Sequence, residues 1–439
     1  MRDALMFACA IGLAAGAEYD PTEVLMRATQ KALASAQAIP NYTCVETVNR
    51  DYFEPAAVSL PRACSVLLEQ RRHPTPDLVL RKYSSDRLRL DVTMANRGEI
   101  YSWSGASRFE DAEIDHVVRY GPIGTGSFEG IVSVVFQEDA KRFRFERTIT
   151  DHNRTMMEYS FQVAKSASHY SMKAANSWVR IAYSGTFQVD AETADMVRIT
   201  MTTGEVPLAA GVCMSTTTMD VTRVQIGDGQ FLLPKQARQR FIYPNAEETE
   251  NTTGFTNCRG FRGESTVTFS PDSEPLTKEG TKSASAKVLS LPTGLPFSFG
   301  LTAPIQTDTA AAGDPFSAKL IDAIRDGRGK VLAPKGTVVE GHLLRVQSFD
   351  RHPEVVVVLK PEVLWIHGAR VPVSVERDWT RALAEGRKKG KKGVEILLPL
   401  RGEDNSGVFR FSGEHVTVPN GYRSEWRTGS ADSSVRAPR

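Results

Sequence analysis

The sequence lacks the features that usually identify an enzyme, a nucleic-acid-binding protein or a membrane-spanning protein. Its 54 Lys and Arg residues nearly balance 52 Asp and Glu residues, which leaves a net charge of +2 and no strong overall attraction to nucleic acid or anionic membranes. Beyond the N-terminus, no stretch reaches the ~18 apolar residues of a spanning helix. An HExxH metal motif and a GxSxG nucleophile elbow are both absent. We therefore predict no catalytic, cofactor-binding or metal-binding residues.

Two patterns resemble functional motifs without matching them. Gly124, Gly126 and Gly130 follow a strand-like segment, but the last glycine comes one residue too late for a dinucleotide fingerprint, and no alternating strand–helix pattern follows. An acidic cluster with one imidazole comes shortly before, and its spacing matches no known metal-binding loop. We interpret this cluster as a solvated turn; its members are Glu110, Asp111, Glu113, Asp115 and His116.

The first 17 residues have the pattern of a signal peptide. Arg2 is followed by an apolar segment over residues 4–15 and by Ala15-Gly16-Ala17, which resembles a cleavage site. The alternative is a buried N-terminal helix. The signal peptide predicts a protein that is periplasmic or secreted.

Cysteine content agrees with export. Removal of Cys9 with the signal peptide leaves Cys44, Cys64, Cys213 and Cys258, an even number without a CxxC pair. In an oxidising compartment these predict two disulfides, each contributing about 3 kcal/mol on the chain-entropy model. Three connectivities are possible. We favour Cys44–Cys64 with Cys213–Cys258, because both close local loops; four unpaired thiols would suit a cytosolic chain.

A helix followed by many strands is predicted for residues 18–269. Asp20 is a helix N-cap, Pro21 occupies the first helical position, and Pro40 ends a stripe of small apolar residues. The remaining segments alternate apolar and polar residues between turns such as Asp228-Gly229. The predicted strands are 42–52, 63–69, 87–93, 141–149, 156–163, 178–183, 185–189, 197–203, 215–224, 231–243 and 264–269.

One hairpin in this region resembles a known family. Residues 185–193 and 197–199 form a strand, an Asp-containing turn and a strand, which is similar to the half-barrels of LolA-like periplasmic lipoprotein carriers. The resemblance implies a sheet folded over a helix, with a concave face that can hold an acyl chain. The alternative is a concave face filled by side chains, as in most small barrels.

A second β-rich region is predicted at residues 291–426. Pro334 and Gly336 suit the second and last positions of a β-turn between strands, and residues 355–359 form an unbroken apolar run typical of a strand buried on both faces. Gly313-Asp314-Pro315-Phe316 and the turn at residues 334–341 resemble the C-terminal β-barrel domain of the TrbI family of conjugation and type IV secretion proteins. That family's Pro-rich stalk and apolar helical insertion are missing, so the resemblance implies the fold and not a secretion-channel role.

The segments flanking the second region are polar. Residues 270–290 indicate a flexible linker, and residues 427–439 a disordered tail. A basic loop near the C-terminus could contact anionic headgroups or cell-wall polymers, but a solvated hairpin loop is the preferred interpretation because one short block attracts weakly. Its cations are Arg387, Lys388, Lys389, Lys391 and Lys392.

Together these patterns predict a mainly β protein: an N-terminal helix packed on an antiparallel half-barrel sheet, followed by a second small β-barrel or sandwich domain. The leading hypothesis is an exported cell-envelope binding or carrier protein without catalytic activity, holding a lipid or acyl chain and docking to an envelope protein. The alternatives are a purely structural envelope or secretion-assembly subunit, and an envelope hydrolase that uses His116 or His152 in a site assembled from distant residues.

Overall fold

A computed structural model describes most of the chain between residues 19 and 429. The described residues are 19–56, 62–73, 79–95, 98–105, 114–124, 128–139, 142–151, 154–174, 177–204, 206–260, 291–378, 380–381, 384, 399–400 and 403–429. The predicted signal peptide, the linker at 270–290 and the basic loop cations lie outside these residues, as do the side chains of the acidic cluster at 110–116 and of His152.

Helices are few among the described residues. They are α1 (Pro21–Ala38), α2 (Cys64–Arg72), α3 (Ile114–Val117) and α4 (Phe128–Val132), with a π-helical segment (Ser133–Asp139) continuing α4 and 3-10 turns at Lys165–Ala167 and Leu208–Ala210. The predicted start of α1 is confirmed, because the Asp20 side chain accepts a hydrogen bond of 2.8 Å from the backbone N–H of Thr22.

Strands dominate, which confirms the mainly β fold class. Those of the N-terminal region are β1 (Tyr42–Pro55), β2 (Leu80–Ala95), β3 (Gly98–Trp103), β4 (Arg144–Asp151), β5 (Arg154–Val163), β6 (Ser171–Ala174), β7 (Ser177–Arg180), β8 (Tyr183–Asp190), β9 (Met196–Thr203), β10 (Met214–Ile226), β11 (Gly229–Ile242) and β12 (Glu248–Gly260). Those of the C-terminal region are β13 (Pro296–Leu301), β14 (Ile305–Gln306), β15 (Pro315–Leu320), β16 (Ile324–Arg325), β17 (Val331–Ala333), β18 (Val338–Phe349), β19 (Glu354–Ile366), β20 (Ala369–Pro372), β21 (Val375–Arg377), β22 (Gly407–Ser412), β23 (Thr417–Val418) and β24 (Arg423–Thr428).

The N-terminal strands form an antiparallel sheet in the order β3-β2-β1-β12-β11-β10-β9-β8-β5-β4. Alternate residues of β1 face inward, as its burial pattern shows. Helix α1 buries Val24, Ala28 and Ala32 against the inner face, and the π-helical segment adds Val135 and Phe136 to the same core. The sheet therefore wraps around helices, as expected for a half-barrel.

The C-terminal strands form a second antiparallel array in the order β22-β19-β18-β15-β13-β24-β21. Its interior is filled by aromatic side chains: the rings of Phe299 and Trp426 stack with centroids 5.2 Å apart. Every residue from 355 to 359 is buried, so the predicted strand with two covered faces is confirmed. Strand β24 continues to Thr428, two residues into the predicted tail.

The two arrays meet at β2. Asp86 on β2 pairs with Gln347 on β18, and the Ala312 backbone bridges Leu88. Gly313 has a φ of +98° and approaches so closely that an added Cβ would lie 2.2 Å from the Arg89 carbonyl oxygen. The GDPF sequence that carries the TrbI resemblance therefore forms part of the junction between the two regions. The domain boundaries themselves stay a prediction.

One predicted strand is wrong. Residues 63–69 begin helix α2, not a strand; the other predicted segments within the described residues overlap strands. The short apolar run around Leu67 is compatible with a strand or a helix, and the length and surroundings of the segment determine which of the two forms. In the helix, fully buried Leu67 packs beside Ile242 and Cys213, while Glu69 and Arg72 favour helix and face outward.

The favoured disulfide pairing is also wrong, although all four cysteines form disulfides. The bonds are Cys44–Cys258, which joins β1 to β12, and Cys64–Cys213, which joins α2 to the residue before β10. Strands β1 and β12 are sheet neighbours although these cysteines are 214 residues apart. Loop length was therefore a poor guide, because strand order brings together cysteines that are distant in sequence.

Candidate binding cavity

A cavity lies between the inner face of the half-barrel and the elements that cover it. Its outer part has a volume of about 810 Å³, and its inner part about 210 Å³. Both parts are lined by Glu99, Tyr101, Ile123 and Tyr170, so they adjoin. The outer volume falls in the range of ~300–1,000 Å³ typical of small-molecule sites.

The inner part has mainly apolar walls because inward positions on several strands carry apolar residues. Val48 of β1, Met201 of β9, Met219 of β10 and Phe255 of β12 project into it. Ile131 of α4 covers it from the other side. Methionine side chains adapt their shape to irregular apolar partners, which suits a site for a flexible ligand.

Glu46 is the exceptional residue of the inner wall. It occupies an inward position on β1, with Leu90 of β2 and Phe255 of β12 as its cross-strand neighbours. The residue is only 7% exposed. Burial, with a smaller contribution from the negative charge of Glu99, raises the pKa of Glu46 to about 8. Glu46 is therefore mainly a neutral acid at pH 7.

Glu99 and Tyr101 of β3 lie where the two parts of the cavity adjoin. The Tyr101 hydroxyl donates a hydrogen bond of 2.5 Å to the Glu99 carboxylate. Burial, followed by the charge of Glu99, raises the pKa of Tyr101 well above its usual value, so the phenol stays protonated. The pair adds two hydrogen-bonded polar side chains to a mainly apolar cavity.

The outer part opens beside the β6–β7 hairpin. Trp178 of β7 lines it while remaining 56% exposed, and the Lys173 ammonium lies 6.0 Å from the Trp178 ring centroid. Leu208, in the 3-10 turn beside the lining residue Ala210, is 75% exposed.

The glycines that resemble a nucleotide motif have a different role. Gly124 and Gly130 both line the inner part of the cavity. A Cβ on Gly124 would lie 1.9 Å from the Gln239 side-chain oxygen, so a side chain there would displace Gln239. Gly124 permits close packing of the covering loop on β11.

A candidate metal cluster lies at the end of the π-helical segment, where Glu138 and His169 are exposed and Asp139 is buried. Ligand atoms of Glu138, Asp139 and His169 lie within 4.8 Å of one another. The buried Asp139 carboxylate already accepts hydrogen bonds from the His169 backbone N–H at 2.8 Å and the Tyr183 hydroxyl at 2.9 Å, and it lies 2.5 Å from His169 Nδ1. These contacts tie the π-helical segment to β8 and account for the carboxylate without a metal.

The cavity residues were not singled out in the sequence. Glu46 follows Tyr42 and Cys44 at the same alternating spacing, so its inward position could have been deduced from the strand pattern. That Glu46 and the distant Glu99 line the same cavity depends on sheet order and could not have been deduced. The side chains of the predicted hydrolase histidines, His116 and His152, lie outside the described residues.

Comparisons with known proteins give distant similarities only. No family model and no curated protein matches the chain. Among solved structures, a LolA superfamily protein from Nitrosomonas europaea is 10% identical with a TM-score of 0.25, covering 54% of this chain and 94% of that chain. A DUF1329 family protein from Desulfovibrio piger is 7% identical, with a TM-score of 0.27 and coverages of 56% and 94%.

A putative outer membrane lipoprotein-sorting protein domain from Vibrio parahaemolyticus is 10% identical, with a TM-score of 0.27 and coverages of 55% and 93%. These neighbours include the family that the N-terminal hairpin resembles, but such low scores carry no functional assignment. The TrbI resemblance stays a prediction. Within the described residues, no helix has the length and apolar character needed to cross a membrane.

Proposed function

We propose that this chain is an exported, non-catalytic binding or carrier protein of the cell envelope, with its ligand in the half-barrel cavity. The observation that supports this most strongly is the cavity itself: about 810 Å³ in its outer part, adjoining an inner part walled by Val48, Met219 and Phe255. A lipid or acyl chain would bind favourably in such a space, because burying apolar surface contributes about 25 cal/mol per Å² to the free energy of binding.

Export is supported by the signal-peptide pattern at residues 1–17 and by two disulfides, which persist in oxidising compartments. The exposed Trp178 and Leu208 near the opening give an entering ligand, or the envelope partner that delivers it, an apolar surface. The C-terminal region, joined to the half-barrel through β2 and β18, docks the carrier to an envelope protein in this proposal.

Native mass spectrometry of the mature protein, purified gently from the envelope fraction of its own cells, tests the proposal. We expect a mass excess that disappears on organic extraction and is identified as a lipid. A bare polypeptide mass that persists after incubation with envelope lipids would contradict it and favour a purely structural subunit.

A further inference from the structure

We infer that the inner end of the cavity binds a protonated amine, so that the ligand is an amphiphile with an apolar body and a cationic head. This inference rests on the proposed function and names the class of ligand. Glu46 is an ionisable side chain that faces the cavity from a wall that is otherwise mostly apolar.

Glu46 has no hydrogen-bond partner among the residues that the structure describes; its one resolved electrostatic interaction is repulsion from Glu99. Its flanking side chains, Leu90 and Phe255, offer neither a donor nor a positive charge. The carboxyl oxygens of Glu46 are not among the described buried atoms that lack a partner, so they are accessible from the cavity. A ligand in the cavity can therefore supply a hydrogen-bond donor to them.

The remaining titratable groups decide the charge of the ligand. Glu99 and Tyr101 of β3 and Tyr170, ahead of β6, line the inner part with Glu46, and none of them carries a positive charge. Lys173 lies in the outer part beside Trp178, and Tyr243 also lines that part. The negative charge of Glu99 would repel an anionic head, whereas an ammonium group is attracted to it and offers three donors.

An aliphatic chain end at the same place would leave Glu46 unpaired. The volume of an aliphatic chain favours its burial in the part of the cavity walled by Met201, Met219 and Phe255. The apolar body therefore extends along these residues and toward Trp178, and the amine meets Glu46 and Glu99. Charge-assisted hydrogen bonds of this kind are roughly twice as strong as neutral ones.

Amine binding at this site should release a proton, and the affinity for the amine should depend on pH. Below pH 8 the free protein holds a proton on Glu46, and an alkylammonium ion keeps its own proton because its pKa is about 10.4. Binding forms an ammonium–carboxylate pair and releases the Glu46 proton to solvent. Affinity for the amine therefore rises with pH, by up to about tenfold per unit, and levels off above the pKa of Glu46.

Titration calorimetry of the mature full-length protein with dodecylamine, dodecanol and dodecanoate, below their aggregation concentrations, tests this inference. We expect dodecylamine to bind roughly tenfold or more tightly than dodecanol, dodecanoate to bind most weakly, and amine binding to release about one proton near pH 6.5, measured in buffers of different ionisation enthalpy. E46Q should lose the preference for the amine while still binding dodecanol.

E250Q is the matched control, since Glu250 lies on β12 at a position that faces away from the cavity, where it pairs with Arg238 at 3.3 Å. E250Q should keep the amine preference. Equal affinity for amine and alcohol without proton release would overturn the inference and leave the proposed function intact. Failure of all three probes to bind would count against both. The wild-type comparison needs no variant, so it remains decisive if E46Q does not fold.

Discussion

The two regions of this chain are built from similar antiparallel strands but use their interiors differently. In the C-terminal array, Phe299, Phe409 and Trp426 fill the space between strands. In the half-barrel, several inward positions carry small or polar residues, such as Ala237, Thr217 and Thr253, and a cavity remains. Interior side-chain size therefore separates a core that stabilises from one that can admit a ligand.

The disulfides also distinguish the two regions of the chain. Both disulfides lie in the region with the cavity, where they join β1 to β12 and α2 to the start of β10. A cavity removes packing contacts that would otherwise stabilise the fold. Cross-links that restrict the unfolded chain offset that loss, whereas the packed C-terminal array relies on side-chain contacts.

The largest effect should come from emptying the packed core. Trp426 is fully buried and stacks on Phe299, so Trp426→Ala should lower the free energy of unfolding by about 3–5 kcal/mol. Denaturant titration followed by circular dichroism measures this. Trp178→Ala is the control: the residue is 56% exposed, and its loss should change stability little. Similar losses for both variants would show that the C-terminal core is not tightly packed.

Removing a cross-link should have the next largest effect. The double substitution C44S/C258S should lower the stability of the half-barrel by about 2–4 kcal/mol, because the bond restricts an unfolded loop between residues 214 positions apart. Hydrogen exchange can separate the two regions. Protection should fall in β1 and β12 and persist in β13 and β24; equal loss in both would contradict the division.

A matched pair of alanines compares the two interiors directly. Ala318 is fully buried in the C-terminal core, so Ala318→Phe should destabilise the protein by about 1–3 kcal/mol through overpacking. Ala237 lines the cavity, so Ala237→Phe should be accommodated with a smaller loss while abolishing dodecanol binding. Thermal unfolding and calorimetry give both quantities. A larger loss of stability for Ala237→Phe than for Ala318→Phe would show that the free space does not lie in the half-barrel.

The smallest expected effect is the change in stability that Glu46 causes over a single pH unit. The pKa of Glu46 is raised to about 8 in the folded protein, so the folded state binds more protons than the unfolded state between about pH 4.5 and 8. The wild type should therefore lose stability relative to E46Q as pH rises through this window, by roughly 1 kcal/mol per pH unit. Parallel stability curves for the two proteins would show that Glu46 is not buried as described.

Sequence patterns predicted the local structure better than the cavity. The capped helix α1 and the strands were predictable because capping residues and alternating apolar positions act over a few residues. Helix α2 was missed because a short apolar run around Leu67 fits both helix and strand. The disulfide partners and the shared cavity of Glu46 and Glu99 depend on strand order, which neighbouring residues do not encode.

The central claim, that the half-barrel cavity holds an amphiphilic ligand, is tested most directly by a crystal structure of the mature protein purified without refolding from its own cells. We predict continuous elongated density between Met219 and Phe255, with its polar end within hydrogen-bonding distance of Glu46 and its other end toward Trp178. A cavity closed by side chains, or holding only water in protein supplied with dodecylamine, would contradict the account.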